Sequence, residues 1–330
     1  MKVAVVILNW NGAELLQQFM PTIIAYSKEA IIYVADNAST DDSIQVLQTE
    51  FPEVQIIQNT ANYCFAKGYN EALKNLDADV YALVNSDIEV TPNWLQPIIE
   101  TFNNEKETAI IQPKILDFKN KSKFEYAGAA GGFIDSFGYP FCRGRIFDTV
   151  EEDFGQYNDA IEIFWASGAC FFIRSEVFHR LNGFDDSFFA HQEEVDLCWR
   201  AFNNNYTTKF IPDSVVYHVG GATLQHGNPR KTFLNFRNSL LMLTKNLPKN
   251  ILFTTLIMRM LLDGIAGFQF IFQGKFKHFG AILNAHYSFY LNFRSSYKKR
   301  DVVQRKNYYK TKSVVYRYFI RNGKVFGDIL

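Results

Sequence analysis

The sequence predicts an α/β chain organised on a parallel sheet. Three observations lead there. Val3 to Leu8, Ala30 to Ala35 and Val80 to Val84 are near-continuous apolar runs, as in strands buried on both faces. Stretches with helical spacing separate them, the pattern of βαβ units. Each run ends in short polar side chains, at the sheet edge where open α/β sheets hold ligands.

The elements follow in order. Val3 to Leu8 is broken by Asn9-Trp-Asn11-Gly12, and Ala13 to Tyr26 carries Leu15, Leu16, Phe19 and Ile23 at helical spacing. The run Ala30 to Ala35 ends in Asp36-Asn37-Ala-Ser39-Thr-Asp-Asp-Ser43. Asp36, Asn37 and Ser39 can meet a base or ribose edge, and Asp41 and Ser43 can cap the helix signalled from Ile44 to Gln48. The same loop also reads as caps alone. Gln55 to Gln58 is a third strand. Asn59 to Asn70 is a polar loop entering a helix over Lys67 to Asn75, and its Asn62, Gly68 and Asn70 can touch a base or diphosphate. Val80 to Val84 leads into Asn85-Ser86-Asp87. A carboxylate there, two residues after another oxygen donor, can hold a hard divalent cation. Pro92 and Trp94 start a helix to about Phe102, and Ile110-Ile111 and Ile115-Leu116 suggest two strands.

Lys119 to Gln156 has no clean period and reads as an insertion or a pair of hairpins, with Cys142-Arg-Gly-Arg145 at a loop. Trp165-Ala-Ser167-Gly168-Ala169 places small residues where another segment or ligand approaches closely. Phe171 to Ile173 is a strand. Ser175 caps a short helix that stops at Gly183. In Glu193-Glu194-Val-Asp-Leu-Cys-Trp-Arg200, Val195, Cys198, Trp199 and Phe202 share a helix face. Glu193 and Glu194 sit in the first turn, where the helix dipole favours acids, and Glu194 is available as a general base. Asp196 and Arg200 are spaced to pair on the surface side. Lys209 to Tyr217 is a last strand. It ends at His218-Val-Gly-Gly221, where a neutral imidazole could swing to a metal.

Composition bounds the function. The 330 residues are 48% apolar and rich in Phe (32) and Tyr (17), with zero formal charge, so a nucleic-acid partner is not indicated. Four scattered cysteines form no CxxC pair, which suits reduced thiols in the cytosol. Six apolar residues after Lys2 are too few for a signal-peptide core. Neither G-x-G-x-x-G nor a P-loop is present. From Lys231 the character changes. Ile251 to Phe272 has about the length of a bilayer span, yet contains Arg259 and Asp263. Amphipathic helices on an inner membrane surface fit better, flanked by basic residues among aromatics. The sequence specifies no oligomeric state.

Val5-Val-Ile-Leu-Asn-Trp-Asn-Gly12, Asp36 to Ser43, Asn85-Ser-Asp87, Ser167-Gly-Ala-Cys170, Phe188 to Arg200 and His218-Val-Gly-Gly221 together resemble the family 2 glycosyltransferases, in particular a bacterial rhamnosyltransferase-like branch. They run in the family's order over about residues 1–240, and Asn235-Phe-Arg-Asn238 resembles a further recurrent element. The resemblance implies a GT-A fold: a Rossmann-like nucleotide-binding sheet joined to a mixed acceptor half, here residues 1–230; the composition makes residues 231–330 a helical, membrane-associating extension. It implies inverting transfer of one sugar from a nucleoside diphosphate donor, dTDP-rhamnose or a UDP-hexose, to a glycan or polyprenyl-linked acceptor. By position, Asp36 would contact the base, with Asn9 and Asn11 beside it. Asn85 and Ser86 would border the diphosphate. Asp87 and His218 would hold Mn²⁺ or Mg²⁺. Glu194, where the family often has Asp, would be the base, with Glu193 just before it. Trp165, Ser167, Gly168 and Ala169 would border the acceptor. A nucleotidyltransferase would need a glycine-rich, cationic first loop, which Asn9 to Gly12 is not. A non-catalytic assembly protein would not need Asp87, Glu194 and His218 together.

Overall fold

A computed structural model of the chain describes residues 1–220 and 227–330. Its elements alternate as expected in the first third: β1 (Val3–Asn9), α1 (Ala13–Tyr26), β2 (Ala30–Asp36), α2 (Ser43–Glu50), β3 (Gln55–Gln58), α3 (Cys64–Leu73) and β4 (Val80–Asn85). Then come β5 (Ile88–Val90), α4 (Gln96–Asn104), β6 (Thr108–Asp117), β7 (Gly132–Ile134), β8 (Pro140–Cys142), β9 (Arg145–Ile146), β10 (Thr149–Val150), β11 (Ile161–Ile163), β12 (Cys170–Arg174), α5 (Ser175–Arg180), α6 (Glu193–Asn203) and β13 (Thr207–His218). Helices close the chain: α7 (Pro229–Asn246), α8 (Lys249–Phe272), α9 (Phe276–Lys298), α10 (Val314–Phe319) and α11 (Phe326–Ile329).

The main sheet runs β11-β13-β6-β12-β4-β1-β2-β3, with β5 paired to β13. β3, β2, β1 and β4 are mutually parallel, and β12 enters antiparallel between β4 and β6. This is a parallel nucleotide-type half fused to a mixed half. One apolar layer packs α1, α2 and α4 on one face. A larger layer on the other gathers α3, α6, α7 and the small sheet β10-β9-β8-β7. The helices bury one sheet face each, which is why the strand sequences are apolar throughout.

Several expectations change. The two strands around Ile110 and Ile115 are one, β6, buried along nearly its whole length. Pro113 sits inside it, and the partner β13 shifts register between Ile211 and Val215 to accommodate the irregularity. The helix expected from Pro92 starts at Gln96. Ser175 does not cap α5. It is the first helical residue, and its hydroxyl donates to the Ala78 carbonyl instead. Asp41 serves two helix starts, accepting from Ala13 N of α1 and Ser43 N of α2. Lys119 to Gln156 does contain hairpins, and Arg143-Gly144 turns between β8 and β9, with Gly144 at φ +88°. Asp196 and Arg200 do pair, at 2.8 Å, but inside the protein. Asp196 also accepts from Lys245 and Asn246 of α7, and Lys245 reaches Asp185 at 2.7 Å. Burial alone would raise both Asp carboxyls, but these cations hold them below the ordinary range.

The C-terminal residues share the main core. Leu240 to Leu243, Tyr308 and Phe326 belong to the same apolar layer as α6 and β12. The boundary after residue 230 falls in the first turn of α7. Arg259 and Asp263 of α8 are buried: the Arg259 guanidinium lies 3.7 Å from the Tyr139 ring and donates to Phe137 O, and Asp263 meets His286 of α9 at 3.1 Å. Their charges therefore face protein beside Leu252 and Leu256, while Phe253, Ile257, Leu261, Ile265, Phe268 and Phe272 of α8 are exposed. All four cysteines are free thiols.

Candidate active site

The site lies where β1, β2, β4 and β13 end. Strand register sets it. Asn9 pairs beside Asp36, and Asn9 Nδ2 donates to Asp36 Oδ1 at 3.1 Å. Asp36 in turn accepts from Ser39 N and Ser39 Oγ, while Ser39 Oγ also accepts from Asn11 N. Asn11 Oδ1 closes the ring by accepting from Thr40 N. Asn37 and Asn59 form a second layer: Asn37 donates to Cys64 O, and Asn59 donates to Asn37 Oδ1 and Gly68 O. The buried donors and acceptors are thus almost all satisfied, so the loops are preset rather than loose. Ser86 stands on the other side of the same turn. A side chain built on Gly12 would meet Asn9 Oδ1 at 2.4 Å and Ser86 Oγ at 3.8 Å.

Three of the sequence candidates hold the scaffold together. Asn62 caps the start of α3 through Cys64 N. Gly68 lies beneath Asn37, whose amide nitrogen is 2.7 Å from where its Cβ would be. Asn70 is committed to the 184–186 turn, exchanging bonds with Phe184 and Asp186.

Asp87 follows β4 and is 4% exposed. β13 delivers His218 beside it, because His218 pairs with Ile88 and Val219 N bonds to Asp87 O. His218 Nε2 is 3.2 Å from Asp87 Oδ1, and Nδ1 is 3.2 Å from Glu125 Oε1. The imidazole does not hang free: it is pinned between two acids. Burial pulls its pKa down, but the two carboxylates outweigh that and push it up to about 10. Burial likewise raises Asp87, and His218 overrides it, so the carboxyl lies below its usual range. Glu125 was invisible in the sequence. It comes from the irregular 119–156 stretch, and the loop returns to the sheet through Glu125 N to Ile115 O. Gly221 lies outside the described residues.

Among the described residues, no three His, Cys, Asp or Glu side chains form a closed cation cage. Asp87 and His218 still fit Mn²⁺ or Mg²⁺ of the kind that takes one or two protein ligands and completes its shell with substrate phosphates and water, provided the imidazole gives up its proton to ligate. Their oxygen and nitrogen donors are adjacent and already near the Ser86 turn.

Glu194 comes from the opposite direction. β12 continues past its strand so that Asn85 N bonds to Ala169 O, which brings Gly168 alongside Ser86. A Cβ on Gly168 would stand 3.8 Å from the Glu194 carboxyl carbon. Of the four acceptor candidates, Gly168 is thus placed beside it. Trp165 is buried with Nε1 on Phe133 O, Ser167 bonds Gln112 and Ala169, and Ala169 is 5% exposed. Glu193 Oε2 and Glu194 Oε2 are shut from solvent with no hydrogen-bond partner among the described residues. Burial pushes Glu194 up to about 7, although backbone N–H groups of the first turn of α6 pull the other way. Burial first, then the Glu194 charge, raises Glu193 further. A carboxyl near neutrality, at a helix start, with a free oxygen, is equipped to exchange a proton.

Known proteins share the family pattern and the fold. Residues 4–181 match the family described as Glycosyl transferase family 2. The N-acetylglucosaminyl-diphospho-decaprenol L-rhamnosyltransferase of Mycobacterium tuberculosis is 22% identical over 229 residues, 65% of this chain and 75% of that protein. The S. aureus TarS 1-349 structure in complex with UDP-GlcNAc superposes with TM-score 0.60 at 14% identity, over 91% of this chain and 84% of that one. GalNAc-T7 with UDP, GalNAc and Mn²⁺ gives 0.60 at 15% identity over 76% of this chain, which spans 48% of that structure's length. With more than half its length inside the family match and this fold beneath it, the chain belongs to glycosyl transferase family 2: it is a hexosyl-transferring enzyme on a GT-A fold.

Proposed function

We propose that the enzyme moves one sugar, with inversion, from a nucleoside diphosphate donor to a hydroxyl of a glycan or lipid-linked acceptor. The carrying observation is Glu194: a carboxyl raised to about 7 by burial, with an unsatisfied oxygen, one strand away from the Asp87–His218 pair. Asn9, Asn11, Asp36, Asn37 and Ser39 form the nucleoside wall. Asn85 and Ser86 border the diphosphate. Glu194 takes the acceptor hydroxyl proton as that oxygen bonds to the anomeric carbon, and the bond from that carbon to the diphosphate oxygen breaks on the opposite face. Glu193, whose carboxyl burial and the Glu194 charge push well above the usual range, precedes it at the helix start. Asp87 and His218 would hold Mn²⁺ or Mg²⁺, which supplies neutralisation of the charge growing on the leaving diphosphate. The relatives support this class of donor and acceptor: one is named for rhamnosyl transfer to a decaprenol-linked sugar, another binds UDP-GlcNAc. We take dTDP-rhamnose or a UDP-hexose as the donor.

We place the enzyme in the cytoplasm, peripheral on the inner face of the membrane. α8 is long and apolar enough to cross a bilayer, but its charged pair packs against protein. Phe253, Ile257, Leu261, Ile265, Phe268 and Phe272 make one exposed stripe along it. Residues 249–330 carry fifteen Lys and Arg against three Asp and Glu, which suits an anionic surface. Residues 1–230 are then the catalytic part and 231–330 the docking part.

The test is a panel of nucleotide sugars scored by melting temperature with and without Mn²⁺. One donor should raise it only with the cation present, and Asp87→Ala should abolish the rise. That donor should then release nucleoside diphosphate only when a polyprenyl-linked or glycan acceptor is added. A donor-independent melting temperature across the panel would overturn the reading.

A further inference from the structure

The turn that delivers Glu193 and Glu194 is unusual. Phe189, His191 and Gln192 all have positive φ, +68°, +70° and +75°. Phe189, with ψ −61°, closes a γ-turn through Ala190 N to Phe188 O at 2.8 Å. None of these residues is glycine, and such conformations persist only where the surroundings enforce them. Gln192, the residue before α6, places no side-chain cap on the helix. The restraint comes instead from α7, about fifty residues later in the chain.

Asn238 is fully buried. The two hydrogens of its amide nitrogen are shared among three carbonyls of this turn: Phe188 O at 2.9 Å, Ala190 O at 2.8 Å and His191 O at 2.7 Å. Arg237 sets the amide's orientation by donating from Nε to Asn238 Oδ1 at 2.9 Å, which aims the NH₂ at the turn. Arg237 Nη2 adds bonds to Ser187 O and Phe188 O, both at 3.0 Å. Four backbone carbonyls, Ser187, Phe188, Ala190 and His191, therefore converge on two adjacent side chains. Carbonyls brought together this way repel one another unless donors lie between them. An aliphatic residue at 238 would remove the central donor and leave buried acceptors unsatisfied.

We propose that Asn238, oriented by Arg237, is a positioning residue for transfer: it locks the 188–192 turn and so fixes the carboxyl at the start of α6 against Gly168. This rests on the reading of Glu194 as the base. It makes α7 part of the catalytic apparatus and not only the root of a docking extension. The clamp is local. It touches neither the Asn9–Asp36 wall nor the Asp87–His218 pair, so donor binding should be spared when it is loosened.

The test compares Asn238→Ala, Arg237→Met and Glu194→Gln in the full chain. Asn238→Ala should lower kcat roughly 10- to 100-fold, the scale of a small misplacement near reacting atoms. Donor KM should stay within about threefold, since ground-state donor contacts are untouched. Amide exchange should quicken at residues 189–194 and not in β1 or β2. Arg237→Met keeps the Asn238 amide but frees its orientation, so its effects should be the same in kind and smaller. In the Glu194→Gln background, Asn238→Ala should add little further loss. The proposal falls if folded Asn238→Ala keeps near-native kcat, if exchange at 189–194 is unchanged, or if the two losses multiply fully. Should Asn238→Ala fail to fold, Arg237→Met is judged by the same criteria. Native turnover of Glu194→Gln alone would overturn the base assignment, and it is read before any clamp variant is measured.

Discussion

The proposed donor wall and the turn that carries the proposed base sit on neighbouring strand ends but are built in opposite ways. Around Asn9, Asp36, Ser39, Asn37 and Asn59, nearly every buried polar group meets another, and no bonded pair is more than 30 residues apart in sequence. Around Glu194, carboxyl and amide oxygens of Glu193, Glu194 and Gln192 and the Nε2 of His191 have no partner among the described residues. The backbone there is strained and restrained from α7. A satisfied wall is rigid and selects its ligand by shape and hydrogen bonds. An unsatisfied carboxyl in a shielded place is unstable at rest but ready for a proton, so the two halves should fail differently.

The largest effect is expected at the unsatisfied side. Glu194→Gln keeps the shape and removes the proton acceptor, so kcat should fall roughly 10²–10⁴-fold while donor affinity by thermal shift stays near native. Asp36→Ala should do the reverse. It breaks the charged bonds to Asn9 and Ser39, and at about 1.5–3 kcal/mol for such a bond donor affinity should weaken roughly 10- to 100-fold, with a smaller change in saturated turnover. If the phenotypes swap, the division of labour is wrong. If both variants lose binding and turnover equally, the site has no such division.

These two regions also differ in how far the sequence reveals them. The donor wall is local: strands β1, β2 and β4 end in Asn, Asp and Ser, and parallel register alone brings those ends together. Asp87 and His218 are visible because each stands at or just past a strand's end. Glu125 was not, because its stretch lacks a period and its place depends on a loop returning across β6. The same holds for Asn70 and Trp165. Their side chains look available in sequence, but partners 114 and 32 residues away claim them. The Asp196–Arg200 pair fits the i, i+4 rule and a solvated face equally well. What decides is Lys245 of α7, which no pattern within α6 records. Likewise, helix-start acids are ordinary. Only the turn before them, and the donors that hold it, distinguish Glu194 from a residue favoured by the helix dipole.

A pH profile sharpens the contrast at intermediate size. The base must be ionised, and burial places Glu194 at about 7. Saturated turnover should therefore rise through pH 7 and level above it, being down roughly tenfold one unit below the inflection. Donor binding measured by thermal shift at a fixed cation concentration should lack that inflection. A profile with its lower inflection near 4.5 would mean that the acting carboxyl is solvated, and Glu194 would lose the role.

The smallest effect concerns stability and runs opposite to activity. Glu194 has a raised folded-state pKa, so the fold binds a proton more tightly than the unfolded chain between about 4.5 and 7. Stability from this group is fully present below the lower value and is lost as pH rises through the upper one. At pH 8 the native enzyme carries a shielded carboxylate with an unsatisfied oxygen, and Glu194→Gln removes that charge. The variant should melt roughly 1–3 °C higher than native at pH 8 and show no gain at pH 4, where both side chains are neutral. Asp36→Ala should melt lower, because its carboxylate is already satisfied by Asn9 and Ser39 and its removal strands their donors. Opposite signs from two acids at one site would separate an active-site group kept at a cost to the fold from one that also holds the fold together. Equal signs would mean that the base turn is as well satisfied in solution as the donor wall.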